Sequence, residues 1–497
     1  GGEGDDEPCC SCSSSGIRLS PFALLLLFIY ANLLNYVDRG LVAGVLPTYC
    51  VSCPTITNRT GCEGRRSCEW DFDSTLDNST CAFNASVTPQ FGIGGSFNIS
   101  ETEQGILAGA FMGGYCLFSP IFAHLSTVYP PFKLMGAGLG AWVLSCIMGA
   151  TATSYDRLLL ARVVSGIGEA SFQCLAPPFI DDSAGPTQKG KWLAAFFMAT
   201  PIGQALGYAF GGAMCSMLDS DRLGFASWRV AFGLEALAMA PVALLCLCLT
   251  NKLKGETSEH GAKEGGGGLR QAYLSVKEIV SNAIWMCAVL GYGAFTFSVG
   301  AMAVWGPYYV QRTFWTPLDE ADIAFGGVAV FTGLFGTAAG GMILDKVSQR
   351  MGGDILSSSL LVTVVLTFVA WPFCFLAFNV KSYELFFLFM LLGQFFAFAT
   401  TSPINGVILW CVRPELRTLS MALAVVGMHL LGDVPSPVVV GAMLESMPDA
   451  SVTMTIVTVW IGWCIVFWGA AFVLARRRLW KPQDGLQRGL LEEQDAQ

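Results

Sequence analysis

The chain has 497 residues, 53% of them hydrophobic and 13% charged, with a net charge of −9 and a mean hydropathy of +0.54. A soluble domain carries about 25% charged residues, so the composition excludes an ordinary globular domain, and the negative balance excludes a nucleic-acid partner. What remains is a protein that lives in a bilayer.

A membrane span needs roughly 20 mostly apolar residues, and twelve stretches qualify. Residues 1–20 read as a cytosolic tail. The chain opens on glycine rather than methionine, which fits a fragment or a processed chain, and the tail lacks the basic start and small-residue cleavage site of a secretory signal. Cys9, Cys10 and Cys12 sit just before the first span, as palmitoylation sites or simply as part of a polar tail. The first span is expected over 21–46. The loop 47–103 follows, with N-x-S/T sequons at Asn58, Asn78, Asn84 and Asn98 and with Cys50, Cys53, Cys62, Cys68 and Cys81. Sequons and clustered cysteines fit glycosylation and disulfides on a lumenal or extracellular side. Five cysteines leave one over, and Cys215 at the end of the fifth span is the candidate sixth partner. Cys50 and Cys53 have zinc spacing, but a second pair at that spacing is missing, so no metal is expected.

Spans two to six are expected over 104–126, 133–154, 156–180, 190–214 and 228–250, completing a six-helix bundle over 21–250. Residues 251–279, "NKLKGETSEHGAKEGGGGLRQAYLSVKEI", begin polar and glycine-rich and read as a flexible cytosolic linker. Spans seven to twelve follow over 280–308, 322–344, 355–378, 383–410, 418–444 and 453–475, a second bundle over 280–476, and 477–497 form a cytosolic tail. Lys189, Lys191, Lys252, Lys254, Lys263, Lys346, Arg350, Arg413, Arg417 and Arg476–Arg478 all fall on the side of the termini, which the positive-inside rule makes cytosolic. Six plus six spans around a cytosolic linker is the outline of a major-facilitator transporter, an all-α fold whose halves rock about a midplane site. In the second half "GTAAGGMILDKVSQRMGG" (336–353) ends a span with Asp345-Lys346, a gating pair in that superfamily's pattern. The first half has Ser126, Thr127 and Val128 where the pattern places a small residue and Asp-Arg.

Charges inside spans carry the functional signal, because each costs roughly 2.5–3.5 kcal/mol at a span centre on insertion scales. Asn35, Asp38 and Arg39 share one face of span one at i, i+3, i+4; Arg162, Glu169 and Gln173 share one face of span four at i, i+7, i+11. Their depths allow all four charges to meet in one pocket, where two acids and two bases sum to zero. Such a cluster is either a static network joining two helices or a site whose arginines bind an anionic head group and whose acids, Asp38 and Glu169, carry a proton. His429 and Asp433, at i, i+4 before Pro435 and Pro437, read equally as a ligand contact or as a hydrogen-bonded helix bend. Glu235 fits packing or charge balance as well as function. Phe111, Tyr115, Phe295, Phe297 and Trp305 are candidates to wall a cavity for a lipid tail, with lipid-facing packing as the alternative for each.

"NYVDRGLVAGVLP" (35–47), "ARVVSGIGEASFQCLAPPFIDD" (161–182), "PIGQALGYAFGG" (201–212) and "RTLSMALAVVGMHLLGDVPSPVVVGAML" (417–444) resemble the Spinster family of facilitator transporters. The resemblance implies transport of sphingolipids or lysophospholipids, proton-coupled in some members, with Asp38, Arg39, Arg162 and Glu169 in a central cavity. The changed first-half motif and the long loop mark a divergent member.

The expected protein is therefore a monomeric alternating-access transporter of the plasma or endolysosomal membrane, with both termini cytosolic and no cofactor. Its expected substrate is a lysophospholipid or sphingolipid, bound by Arg39, Arg162, Asn35, Gln173 and His429, with Asp433 and Glu235 as gating or structural residues. The alternatives are a facilitator for a small organic anion or sugar and a receptor that binds through the 47–103 loop. An enzyme is not expected, because no HExxH, GxSxG or P-loop pattern stands in a fitting context.

Overall fold

The computed structural model describes residues 17–46, 68–73, 78–83, 92–126, 129–184, 189–217, 226–249, 269–314, 316, 318–413, 416–447 and 449–480. Several helices start where the sequence supplies a cap for the free N–H groups of the first turn. The Ser20, Ser154 and Ser382 side chains cap helices in this way, as does the Asp354 carboxylate. Ser100 and Glu103 form a reciprocal capping box. Twelve helices are long and apolar enough to cross a membrane: Pro21–Val45, Glu101–Leu125, Pro131–Ala150, Tyr155–Ile180, Trp192–Met214, Trp228–Cys248, Ala283–Phe314, Glu320–Arg350, Ile355–Ala377, Tyr383–Trp410, Leu419–Ser446 and Ala450–Arg477, hereafter spans 1 to 12. The number agrees with the sequence reading. Spans 7 and 8 run several residues further, span 7 through the buried polar Gln311 and span 8 through the mostly exposed turn 345–350.

The two sets of six pack alike. Span 1 lies on 5, span 2 on 4 and span 3 on 6; likewise span 7 lies on 11, span 8 on 10 and span 9 on 12. The first set buries two apolar clusters, one around Phe28, Phe132, Phe172 and Phe179 and one around Leu41, Val45, Leu158 and Trp228. The second set has a large continuous core that includes Trp305, Tyr309, Phe378, Phe386 and Trp468.

The halves meet at the end remote from the termini, where span 2 packs on the second part of span 11 and span 5 on the first part of span 8. Helix backbones approach very closely there. A Cβ added at Gly105 would lie 2.2 Å from the Pro437 carbonyl oxygen. The Thr102 hydroxyl donates to Glu445, and Tyr308 donates to Glu101 at 3.3 Å.

Several details differ from the sequence reading. The loop between spans 1 and 2 carries an antiparallel hairpin, β1 (Cys68–Asp73) on β2 (Asn78–Phe83), with Trp70 opposite Cys81. The alternating "CEWDFD" is the β signal. The stretch read as a flexible linker ends in an amphipathic helix, Leu269–Val280, whose Ile279 is buried in the second core and whose Glu278 pairs with Arg413 at 2.6 Å. Asn58, Asn84, Cys50, Cys53, Cys62, Thr127 and Val128 lie outside the described residues, as do Cys9, Cys10 and Cys12. The side chains of Asn78, Cys68, Cys81 and Cys215 do as well. Asn98 is described: it takes a left-handed conformation, φ 50°, where asparagine is one of the few tolerated residues, and caps the short helix Ile93–Phe97.

Candidate functional site

Helix periodicity and one missing side chain build the site. On span 4, Arg162, Gly166, Glu169 and Gln173 line one face. A Cβ at Gly166 would sit 2.0 Å from the Phe111 carbonyl oxygen, so only glycine lets span 2 lie against this face. That approach places the Phe111 ring beneath two guanidiniums, 4.9 Å from Arg39 and 5.0 Å from Arg162. Tyr36 and Tyr115 flank Arg39 at 4.6 and 5.5 Å. Aromatic faces attract cations, most strongly where water is excluded.

The four charges form two ion pairs across spans 1 and 4. Arg162 Nη1 donates to both oxygens of Asp38, at 2.7 and 2.9 Å, and the Ser165 hydroxyl adds a third bond at 3.2 Å. Arg39 Nη2 donates to Glu169 Oε1 at 2.6 Å, and its Nε to Oε2 at 3.4 Å. Asp38 and Glu169 are fully buried, while both arginines border open space, Arg39 with 18% of its side chain exposed and Arg162 with much less. Gln173 bridges Glu169 (3.4 Å) to Asn32 (2.7 Å), whose own amide donates to the Phe196 carbonyl at 2.9 Å.

That open space is a cavity of about 170 Å³ between the halves. Its walls are Arg39, Arg162, Phe111 and Met112 on one side and Val299, Gly300, Asp433 and Pro437 on the other. Asp433 accepts or shares a proton with His429 Nδ1 at 2.6 Å, and the His429 ring meets the Tyr115 ring edge-on at 5.8 Å. Here span 11 is broken: one helix ends at Leu431, the next starts at Ser436, and Pro435 and Pro437 stand at the junction. A second, smaller cavity of about 70 Å³ adjoins the first through Gln204, Val299 and Ala303. Phe295, Met302, Phe325, Phe398 and Ile461 line it with mostly apolar surface.

The structure thus brings Asp38, Arg39, Arg162, Glu169 and Gln173 into one network, and sets Asp433 across the cavity with His429 bonded to it. Asn35 does not join: it is buried with both side-chain polar atoms unpartnered. Asp345 and Lys346 are exposed near the end of span 8 that faces the termini. Phe295 lines the second cavity; Phe297 instead packs on Trp460 at 5.2 Å, and Trp305 is buried, donating to the Pro437 carbonyl. The sequence reading missed Asn32, Ser165 and Gln204. Asn32 lies one turn before Asn35 on the same helix, so extending that periodicity backwards finds it.

The Major Facilitator Superfamily model matches residues 28–437. "Probable sphingolipid transporter spinster homolog 2" of Arabidopsis thaliana is 35% identical over 452 residues, covering 88% of this chain and 84% of that one. This chain belongs to the spinster family of the Major Facilitator Superfamily. "Protein spinster homolog 1" of Xenopus laevis is 26% identical, covering 85% of this spinster-family chain and 73% of the relative. A crystal structure titled as a bacterial homolog to the human lysosomal transporter Spinster, inward-facing and unoccupied, superposes with a TM-score of 0.70. It is 17% identical and covers 92% and 98% of the two chains, a likeness of fold. As a spinster-family protein the chain is a multi-pass membrane transporter and not an enzyme.

Proposed function

We propose that this spinster-family protein moves an amphipathic lipid with an anionic or zwitterionic head group, a lysophospholipid or sphingolipid, by alternating access. The observation that carries the reading is the pair of joined cavities. Two arginines border one and aromatic and aliphatic side chains line the other, a head chamber beside a tail chamber. Arg39 and Arg162 present planar forks of donors, the geometry that matches phosphate. A small polar solute has no use for the second chamber. The names of the Arabidopsis relatives fit the same class.

Ligand pockets for drug-sized molecules occupy roughly 300–1,000 Å³, more than either cavity, so the halves must part to load a lipid. The tight seam of spans 2 and 11 is then a closed gate, and the end bearing the termini is the side from which loading proceeds. The lysine and arginine bias makes that side cytosolic. Coupling to protons follows from competition: a head-group phosphate that draws Arg39 from Glu169 leaves a buried carboxylate without its counter-ion, and protonation neutralises it. Gln173, bonded to Asn32 and Glu169, holds the helix faces in place, and His429 with Asp433 closes the far wall.

The test is flux in proteoliposomes with labelled lysophospholipid, sphingoid phosphate, a small organic anion and a sugar, across an imposed pH difference. The expected result is flux of one lipid class, saturable and lost in Arg162→Ala. Flux of the small anion or sugar alone, or lipid flux untouched by Arg162→Ala, would contradict the reading.

A further inference from the structure

Three acids and two bases meet in the charge layer of the first half: Asp38, Glu169 and Glu235 against Arg39 and Arg162. Glu235, on span 6, is 3% exposed, and neither of its carboxyl oxygens has a hydrogen-bond partner. It is nevertheless not isolated. A carboxyl oxygen of Glu235, one of Asp38 and the Cys146 sulfur all lie within 4.8 Å of one another. A buried ionised carboxylate without a partner costs several kcal/mol. Two carboxylates this close, beside one guanidinium, cannot both remain ionised. We infer that Glu235 and Asp38 form a buried two-carboxyl proton site, in which Glu235 holds the proton while Arg162 is paired with Asp38.

The groups that face Glu235 are few. Span 1 brings Asp38, span 3 brings Cys146 and span 4 brings Arg162. Span 5 has Tyr208 as its ionisable side chain over 192–214, and directs the hydroxyl to the Ala303 carbonyl of span 7 at 2.6 Å. On span 6 itself Arg229 lies over Trp228 at 5.2 Å. A metal ion suits these atoms poorly. Both Asp38 oxygens already accept from Arg162, one also from Ser165, and the guanidinium charge opposes a cation. The void beside Cys146, lined also by Leu158, Ala161 and Phe232, is too tight to admit a water. A proton needs no such room.

The inference rests on the reading of Arg162 as a head-group ligand, and adds the other half of the exchange. When an anionic head group takes Arg162, Asp38 loses its counter-ion and binds a proton at a carboxyl oxygen. The pair passes from one proton to two, one on each carboxyl. One O–H bond forms at Asp38 as one breaks in a hydronium ion of the cavity that Arg162 borders, leaving water, and the return of Arg162 to Asp38 sends the proton back to water as hydronium. One proton enters with each head-group charge.

Infrared difference spectroscopy on the purified full-length protein tests the site without reference to transport. The wild type is expected to show the C=O stretch of a buried protonated carboxyl that Glu235→Gln removes and Glu169→Gln retains. Should Glu235→Gln fail to fold, Glu235→Asp serves instead, shifting the band. A band that neither Glu235→Gln nor Glu235→Asp alters, or no buried-acid band in the wild type, overturns the site. In proteoliposomes carrying a pH-sensitive dye, protons moved per lysophospholipid are expected to stay unchanged in Glu235→Gln, which mimics the proton-bearing carboxyl, and a tenfold fall would show that Glu235 itself exchanges the proton and overturn its assignment as the holder. Wild-type protein that moves no lipid refutes the proposed function instead, and leaves the infrared result to decide the proton site.

Discussion

The two halves of this transporter share a helix arrangement and little else. In the first, a layer of five ionised or ionisable groups separates two apolar clusters, and spans 1 to 6 run as continuous helices despite prolines at 120, 177, 178, 201 and 241. In the second, a large apolar core is continuous, and in four spans the regular α-helical pattern is interrupted near the middle. Span 8 passes through a π-helical turn at Thr332–Gly336, span 10 breaks at Thr400, span 11 at Gly432–Pro435 and span 12 at Ile461. Such interruptions in transporters gather at binding sites and hinges. The difference assigns labour. The first half holds charge in fixed geometry, where paired ions tolerate little displacement, and the second supplies apolar volume and bends.

The largest effect should come from splitting an ion pair in the first half. Asp38→Leu strands a buried guanidinium, at a cost of about 3–5 kcal/mol. Thermal unfolding in detergent should show a large loss of stability, which adding Arg162→Met restores, while lipid flux stays abolished in both. A double variant no more stable than the single one would mean that the pair does not act as a unit. Next comes the seam between the halves. Gly105→Leu places a side chain against the Pro437 carbonyl, and overpacking of about 1–3 kcal/mol should cut steady-state flux roughly tenfold by opposing closure there. Unchanged flux would show that this end never opens and closes.

In the second half the expected effects concern tail length rather than activity as such. Each buried methylene contributes about 0.8 kcal/mol, so Phe398→Ala, which enlarges the smaller cavity, should move the preferred tail by one or two methylenes. Competition between lipids of graded length measures this, and an unshifted optimum would remove the apolar chamber from the account. The smallest effect belongs to the linker helix. Glu278 and Arg413 are solvent-exposed partners, and exposed pairs contribute about 0–1 kcal/mol. Glu278→Gln should leave thermal stability and flux almost unchanged, and a large loss would show that this helix governs the second half.

How far the sequence could be read follows the same division. Twelve spans were legible because a bilayer demands unbroken apolar length, and Asp38, Arg39, Arg162 and Glu169 stood out because charge is costly there. Helix periodicity placed them on two faces. It could not say that Arg162 reaches Asp38 while Arg39 reaches Glu169, since side-chain reach across two helices depends on how closely they cross. Glu235 was read alone for the same reason: its neighbours come from spans 1, 3 and 4. The break in span 11 was legible in Pro435 and Pro437. The breaks at Thr400 and Ile461 have fainter signals, Pro403, which has no N–H to offer the Ala399 carbonyl, and Gly462 directly after Ile461. The hairpin Cys68–Phe83 was legible only in the short alternation of "CEWDFD", six residues of β period among sequons and cysteines.

The central claim is that the arginines on spans 1 and 4 receive a phosphate head group. Binding of lysophosphatidic acid and of a monoacylglycerol with the same tail, measured on the protein in nanodiscs, compares ligands that differ only in that phosphate. The account predicts that the wild type prefers the phosphate by about tenfold or more, since a charge-assisted pair contributes about 1.5–3 kcal/mol, and that Arg39→Gln removes most of the preference while monoacylglycerol binding holds. Equal affinity for the two lipids in the wild type, or a preference that survives Arg39→Gln intact, would contradict it.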